Sequence, residues 1–482
     1  MKLTLIIVAI LFAFNSKGQL YSNPLIEENP MDTLPNSINF HSSIKPYLNI
    51  NECKSTTGYA VFNKSKFPSR IEPIVDLLGG FNSSSSFRSG LGFNIESTQL
   101  QKVFYRISSL GGLYNTNSRF ITPHSFINDS LGSTNYYGDV RARIVYQPNH
   151  IFNFHTGIDH NFIGEGSRSL FLSDYGVVAP FFQIRTNFWN IDYDVIYHFF
   201  READLNGNWH SKYAVSHYLS YNIFKWLNIG LFENVLFAPQ DKGLNRGFEA
   251  EYLNPVIFYR PQEYVLGSSD NSFLGGQLSV KYKNQTLYGQ LAFDDFVLSE
   301  FRARTNWWGN KYAYQLGIKG YFKANGFKWF YRIENNYVRP YTYSHIDFSQ
   351  NYANQGAVLA HPLGANFNEL LVELKLSKNH FHLKSFVNYY LKGYDKGDSL
   401  SYGGDIYKPY DNRPYEYGVI LGQGNKLNVL HFNLSIAYDL KFFQNFQVFV
   451  ENHMFYVDQN QQTTLNILVG IRNRLWNNYR NY

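Results

Sequence analysis

The stretch HNFIGEGSRSLFLSDYG, His160 to Gly176, carries the residue types and spacing that most resemble a reaction centre. Gly164-Glu165-Gly166 follows an alternating apolar run, as a phosphate-cradling loop would. A dinucleotide site or a P-loop requires a strand, a glycine turn and then a helix whose N-terminus meets the phosphate. Here the third glycine and the Gly-Lys-Ser/Thr ending are both absent, and Gly176 and Pro180 lead into another alternating segment. Glu165 would also place a negative charge beside the phosphate, so the nucleotide reading fails.

Other residues raise other chemistries. His380 and His382 lie two apart, which puts both imidazoles on one face of a strand where they could ligate a metal. The sequence places no third ligand beside them, so they read as polar lining and no metal is assigned. Asp192 with Asp194, and Asp294 with Asp295, are carboxylate pairs of the kind general acid–base catalysis uses. No serine–histidine–aspartate set can be assembled around them, and the chain reads as a non-enzyme with no cofactor. Trp307, Trp308, Tyr259, Arg260, Tyr264, Asp270 and Asn271 form the better candidate set. Aromatic faces stack on the apolar side of sugar rings, while Arg, Asp and Asn meet hydroxyls by hydrogen bonds. These seven are the candidate carbohydrate-binding residues.

The elements that would position them follow from composition and period. Met1-Lys2, an apolar run over 3–14 and small residues at Ser16 and Gly18 read as a cleaved secretory signal over 1–18. One cysteine, Cys53, excludes an internal disulfide and a cysteine-based zinc site. No later run is long and apolar enough to be a membrane helix. Yet aromatics are 18% of the chain, with 39 Tyr and 42 Phe, against only 17% charged residues. For an exported chain this leaves a large β-protein in water or an outer-membrane barrel. The net charge of +6 comes with no basic cluster, so no nucleic-acid partner is expected.

From about residue 71 the period is two. Ile191, Tyr193, Val195, Tyr197 and Phe199 alternate with Asp192, Asp194 and His198, and Leu465, Ile467 and Val469 alternate with Thr464 and Asn466. Such strands have one apolar and one polar face. About eighteen of them can be counted. Tight links, such as 148–149, 284 and 324–325, separate strands at one end; long ones, such as 161–179, 238–273, 339–366 and 393–426, do so at the other. Aromatics crowd the tight links, at Phe224, Trp226, Phe327, Trp329, Phe442, Phe443, Phe446 and Trp476. These features predict an all-β fold: a transmembrane antiparallel barrel with short periplasmic turns, long extracellular loops and an interfacial aromatic girdle. Residues 19–70 hold five prolines and no sustained period. They are expected to be a periplasmic N-terminal segment able to plug the barrel, which then runs over 71–482. In that frame Gly164 and Gly166 let the connection after the fifth strand turn beside the wall, while Arg168 and Asp174 pair or face the lumen mouth.

Two motifs now carry a resemblance. The segment 157–164 through Arg168-Ser169-Leu170-Phe171-Leu172-Ser173-Asp174, with Pro180-Phe181-Phe182, resembles the Wzi-type capsule-assembly family of outer-membrane proteins. The segment 251–260 with Gly267, Asp270 and Asn271 is similar to the version of that family found in Bacteroidota, related to gliding-motility accessory barrels. The resemblance implies an eighteen-stranded barrel with a periplasmic plug, whose outer surface binds polysaccharide. It transfers no catalytic residue and no defined sugar site. The expected partners are surface polysaccharide, outer-membrane lipid and other envelope or motility proteins. A diffusion channel is the competing expectation, and an outer-membrane hydrolase a third.

Overall fold

The computed structural model describes residues 41–46, 69–81, 85–99, 102–115, 127–131, 134–204, 207–241, 244–245, 247, 250–254, 270–397, 399–440 and 446–473. The signal segment 1–18 lies outside them, as do Tyr259, Arg260, Tyr264, Phe442, Phe443 and Trp476.

Eighteen antiparallel strands form the wall. They are β1 (Ser69–Phe81), β2 (Ser85–Gln99), β3 (Val103–Tyr114), β4 (Thr134–Tyr146), β5 (Phe152–Asp159), β6 (Ala179–Phe188), β7 (Ile191–Ala203), β8 (Trp209–Phe224) and β9 (Leu227–Phe237). The second half comprises β10 (Asn271–Tyr282), β11 (Gln285–Asp295), β12 (Lys311–Ala324), β13 (Phe327–Val338), β14 (Phe367–Lys378), β15 (Phe381–Tyr394), β16 (Asn425–Asp439), β17 (Phe446–Val457) and β18 (Gln462–Asn473). Each strand pairs with its neighbours in chain order, and β1 meets β18 from Asp76 opposite Arg472 to Phe81 opposite Ile467. Closure leaves no open edge, which is the condition for a sheet to sit in lipid. The alternation places the strands as expected; β1 starts at Ser69, two residues earlier than the period alone suggests.

Alternation divides the faces cleanly. Leu465 and Val469 are exposed, while their neighbours Asn466 and Leu468 are buried toward the lumen. Leu91, Leu291, Leu316, Leu370 and Val450 continue the exposed apolar band around the barrel. Links at one end are short, between two residues (225–226, 283–284, 325–326) and six (440–445). There the girdle aromatics project outward: Phe224 and Trp226 stack 5.4 Å apart, as do Phe322 and Trp329 at 5.5 Å. Phe446 departs from that expectation and is buried.

One patch of the outer wall is not apolar. His217 and Glu233 are register partners on β8 and β9, and both lie on the outward face, opposite in sense to luminal Ser216 and Tyr218. Both are nevertheless fully buried. The Tyr193 hydroxyl meets His217 Nδ1 at 2.6 Å. Nearer the loop end, the short turn Ala250–Leu253 lies over the same face. Tyr252 packs 4.7 Å from Phe237 there, and the Tyr197 hydroxyl donates to the Leu253 carbonyl at 3.3 Å. This part of the wall faces protein, so its polar groups escape the cost of meeting hydrocarbon.

Candidate functional site

The lumen, and the crown of loops above it, contain the chemistry the sequence singles out. Residues 160–178 do not turn back beside the wall. They run through the barrel interior to the strands facing β5 and β6, and most are buried. Phe162–Ile163 pairs with Ile44–Lys45, so residues 41–46 lie inside the barrel. The Gly164 amide donates to the Ser43 carbonyl at 2.8 Å, and His41 Nδ1 meets Ser220 Oγ at 2.7 Å on the wall.

The glycine turn does cradle an anion, and the anion belongs to the protein. Glu334 of β13 accepts the amides of Ser167 at 2.8 Å and Arg168 at 3.2 Å. The Tyr288 hydroxyl donates to the same carboxylate at 2.8 Å and Asn336 Nδ2 at 3.0 Å. A buried carboxylate with four donors is fully solvated by protein. A Cβ on Gly166 would lie 2.5 Å from Glu334 Oε2 and 2.6 Å from the Arg168 carbonyl, so only glycine lets the backbone approach. Gly164 is similarly pressed, its missing Cβ 2.9 Å from Gln290 Nε2. Glu165 bonds Lys319 Nζ at 2.9 Å and accepts from the Ser42 hydroxyl. Burial alone would raise its pKa. Lys319, Lys281, Lys45 and the Ser42 hydrogen bond outweigh that and hold it down at about 2. Arg168 carries its guanidinium 5.8 Å over the Phe386 ring, across the lumen. Asp174 is buried close to His160, whose imidazole is pushed below its ordinary pKa by burial and by Arg141, against the opposing pull of the Asp174 charge.

Beyond the turn the loop becomes a hydrophobic core inside the barrel. Phe171 stacks on Phe232 at 4.8 Å with the rings 9° apart. A Cβ on Gly275 would sit 2.3 Å from that ring, so β10 leaves room by carrying no side chain. Burying one such phenylalanine is worth about 2–3 kcal/mol. The 339–366 connection descends onto the same core: the Tyr343 hydroxyl donates to the Leu170 carbonyl at 3.0 Å and the Tyr352 hydroxyl to the Phe171 carbonyl at 2.8 Å. Ser173 is held by Leu359 and Ala360 carbonyls at 2.8 and 2.5 Å. His361, fully buried, meets Glu369 at 2.7 Å.

Lysines pin the loops to the wall. Lys392 Nζ on β15 donates to the carbonyls of Leu363, Ala365 and Gly404 at 2.7, 2.5 and 2.8 Å, joining two connections through one cation. Lys311 lies between Asp294, at 3.5 Å, and Asp295, at 2.8 Å. Asp294 also accepts the Tyr343 amide at 2.8 Å. The other carboxylate pair is similarly engaged: Asp192 with Arg185, whose Nε lies 2.9 Å away, and Asp194 with Gln183 at 2.6 Å. His382 pairs with Asp439 at 2.7 Å, while His380 sits in the preceding turn near Tyr438. Among the described residues no three histidine, cysteine or acidic side chains are placed to hold a metal.

The crown disperses the candidate sugar-binding residues. Trp308 is half-buried and packed: its ring lies 4.8 Å from Tyr410 and 6.0 Å from Tyr341, with the Arg413 guanidinium 4.0 Å above it. Trp307 beside it is half-exposed. Asp270 accepts the Tyr252 hydroxyl at 2.7 Å, and Asn271, buried in the wall, donates to the Gln350 carbonyl at 2.9 Å. The alternation argument overlooks Tyr415 and Tyr417, which are 55% and 56% exposed. Their segment runs alongside the tryptophan loop: the Trp308 amide donates to the Glu416 carbonyl at 3.0 Å, and Gly418 and Val419 donate to Thr305 and Asn306, each at 3.0 Å. Arg339 ties the two from below, through the Val419 carbonyl at 3.2 Å and the Trp307 carbonyl at 3.5 Å. A fixed platform of exposed tyrosines beside Trp307 results. No sequence period marks it, because neither loop has one.

No family model and no curated protein matches this chain. Among solved structures it is similar to Wzi, an outer-membrane protein involved in group 1 capsule assembly in Escherichia coli and a carbohydrate-binding β-barrel. The two share 12% identity over 86% of this chain and 85% of that one, with a TM-score of 0.54. It is also similar to OprD of Pseudomonas aeruginosa, at 10% identity over 84% and 94% of the two chains and a TM-score of 0.43. OccAB1 of Acinetobacter baumannii aligns at 10% identity over 85% and 96%, with a TM-score of 0.44. At such identities the likeness is one of fold: a closed eighteen-stranded barrel of the outer-membrane type.

Proposed function

We propose that this barrel binds or anchors surface polysaccharide at its loop end, in capsule or exopolysaccharide assembly or as an accessory to gliding motility. The observation that carries the reading is the pair of exposed tyrosines Tyr415 and Tyr417 beside half-exposed Trp307, on loops that are cross-braced by Trp308, Arg413 and Arg339. Preorganised aromatic faces suit the apolar faces of sugar rings, and little ordering cost remains when they bind. Trp308, Asp270 and Asn271 shape the scaffold in this account, and Tyr259, Arg260 and Tyr264 stay candidate sugar ligands by residue type. The filled lumen supports the same reading against a diffusion channel. The core around Phe171, Tyr343 and Tyr352 occupies space that a solute would need. The carbohydrate-binding description of Wzi, a barrel of this fold, agrees with it.

The test is a deletion strain compared with its parent for retained surface polysaccharide, colony spreading and small-solute uptake. Loss of retained polysaccharide or of spreading, with uptake unchanged, is expected. Unchanged polysaccharide and spreading with reduced uptake would replace the reading with a channel.

A further inference from the structure

The connection after β11 contains the helix α1 (Leu298–Ala303), one and a half turns lying at the loop-end rim. None of its residues is buried, which is unusual for an element with this composition. Val297, Leu298 and Phe301 are 40%, 50% and 49% exposed. Phe301 and Phe296 rest against the outward face of the wall: Phe296 lies 5.1 Å from Phe293, and Phe301 6.1 Å from Tyr312. Tyr312 stacks on Tyr337 at 6.3 Å, and Tyr337 on Tyr314 at 4.8 Å. Tyr314 and Leu316, which share that outward face, are exposed and belong to the apolar band. The helix therefore continues the membrane-facing surface beyond the last strand residues and does not cover the lumen.

Its polar residues complete the pattern. Arg302 and Arg304 are exposed. Among the described residues neither has an acidic partner; the acidic groups nearby are already engaged. Glu300 accepts the Thr305 hydroxyl at 2.8 Å, and Asp295 pairs with Lys311. Two guanidinium groups thus follow exposed leucine and phenylalanine on one short element beside a cluster of aromatics. That is the arrangement of an interfacial helix, apolar side chains in the acyl boundary and cations at headgroup height. Guanidinium binds phosphate in a fork that an ammonium cannot reproduce.

The geometry points to a lipid site: α1 and the rim aromatics seat a phosphorylated lipid of the outer leaflet, its acyl chains against Leu298, Phe301 and Leu291, its phosphate on Arg302 and Arg304. The site rests on the barrel spanning the membrane with its loop end outward, and not on polysaccharide binding. Continuity with the apolar band favours a lipid over a soluble phosphate, because a soluble ligand would leave Leu298 and Phe301 facing water. The test is equilibrium binding of fluorescent lipid A to the purified full chain in uncharged detergent. Dephosphorylated lipid A and inorganic phosphate serve as controls. Saturable binding is expected, weakened about tenfold by Arg302→Ala with Arg304→Ala and by raised salt. Leu298→Ser with Phe301→Ser should weaken it comparably, and excess inorganic phosphate should leave it unchanged relative to sodium chloride at the same ionic strength. Equal binding by the arginine variant, by the Leu298/Phe301 variant or by dephosphorylated lipid, or displacement by inorganic phosphate, would overturn the assignment. Both variants lie outside the strands, and heat-modified gel mobility reports that the barrel has formed.

Discussion

At the residue scale, two glutamates decide what the glycine turn is. Gly164-Glu165-Gly166 presents backbone amides to an anion, as its resemblance to a phosphate loop suggests, but Glu334 supplies the anion from across the lumen. Glu165, in the turn itself, forms the second tie through Lys319 and Ser42. Its carboxyl titrates at about 2 in the folded barrel against 4.5 as the ordinary value. A group with a lowered folded pKa stabilises the folded state fully above its unfolded pKa, and that stabilisation disappears as pH falls. The loss should thus run from about pH 4.5 down to 2. Melting temperature followed across that window should fall more steeply for the natural chain than for Glu165→Gln, which has nothing to protonate. Parallel curves would mean that Glu165 does not hold the loop. Neither partnership is visible in the sequence, since 154 positions separate Glu165 from Lys319 and 167 separate Ser167 from Glu334. The sequence excludes a nucleotide phosphate at this turn, because no helix follows it, but gives no sign of the carboxylate that the turn cradles.

At the element scale, strands and loops differ in how much of them can be read in advance. The wall was readable because lipid on one side and a polar or packed lumen on the other impose a period of two on every strand. Link lengths then distinguish the two ends. Connections have no such two-sided environment, and 160–178 folds inward because of partners scattered over β9 to β15. Gly275 is one example: its missing side chain matters only because Phe171 arrives from 104 residues earlier, and a single glycine in a strand does not announce that. Trp308 and Asn271 show the converse, since their residue types suit sugar binding while their surroundings use them for packing. If 160–178 is an internal brace, replacing 163–177 by a short Gly/Ser linker should let reconstituted barrels pass steady current in a planar bilayer. The natural chain should remain silent. A silent linker variant that has formed its barrel would show that the 339–366 connection and the N-terminal segment suffice to close the lumen.

At the scale of the whole molecule, the two ends and the interior have separate physical tasks. The apolar band and girdle hold the barrel in lipid. The lumen is occupied by chain, with Phe171, Tyr343 and Tyr352 at its centre. That converts what would be a water-filled bore into a core that fixes the crown from below, through Lys392, Lys311 and Arg339. A crown held this firmly presents Tyr415, Tyr417 and Trp307 in one arrangement, and the account assigns polysaccharide to that surface. The most direct test is titration of the purified full-length barrel with surface polysaccharide from its own cells, comparing the natural chain with Tyr415→Ala/Tyr417→Ala. Each aromatic contact of this type contributes about 0.5–1.5 kcal/mol, so losing two should weaken binding by about fivefold to a hundredfold while the barrel still forms. Equal affinity of the two proteins, or no saturable binding by the natural chain, would contradict the account.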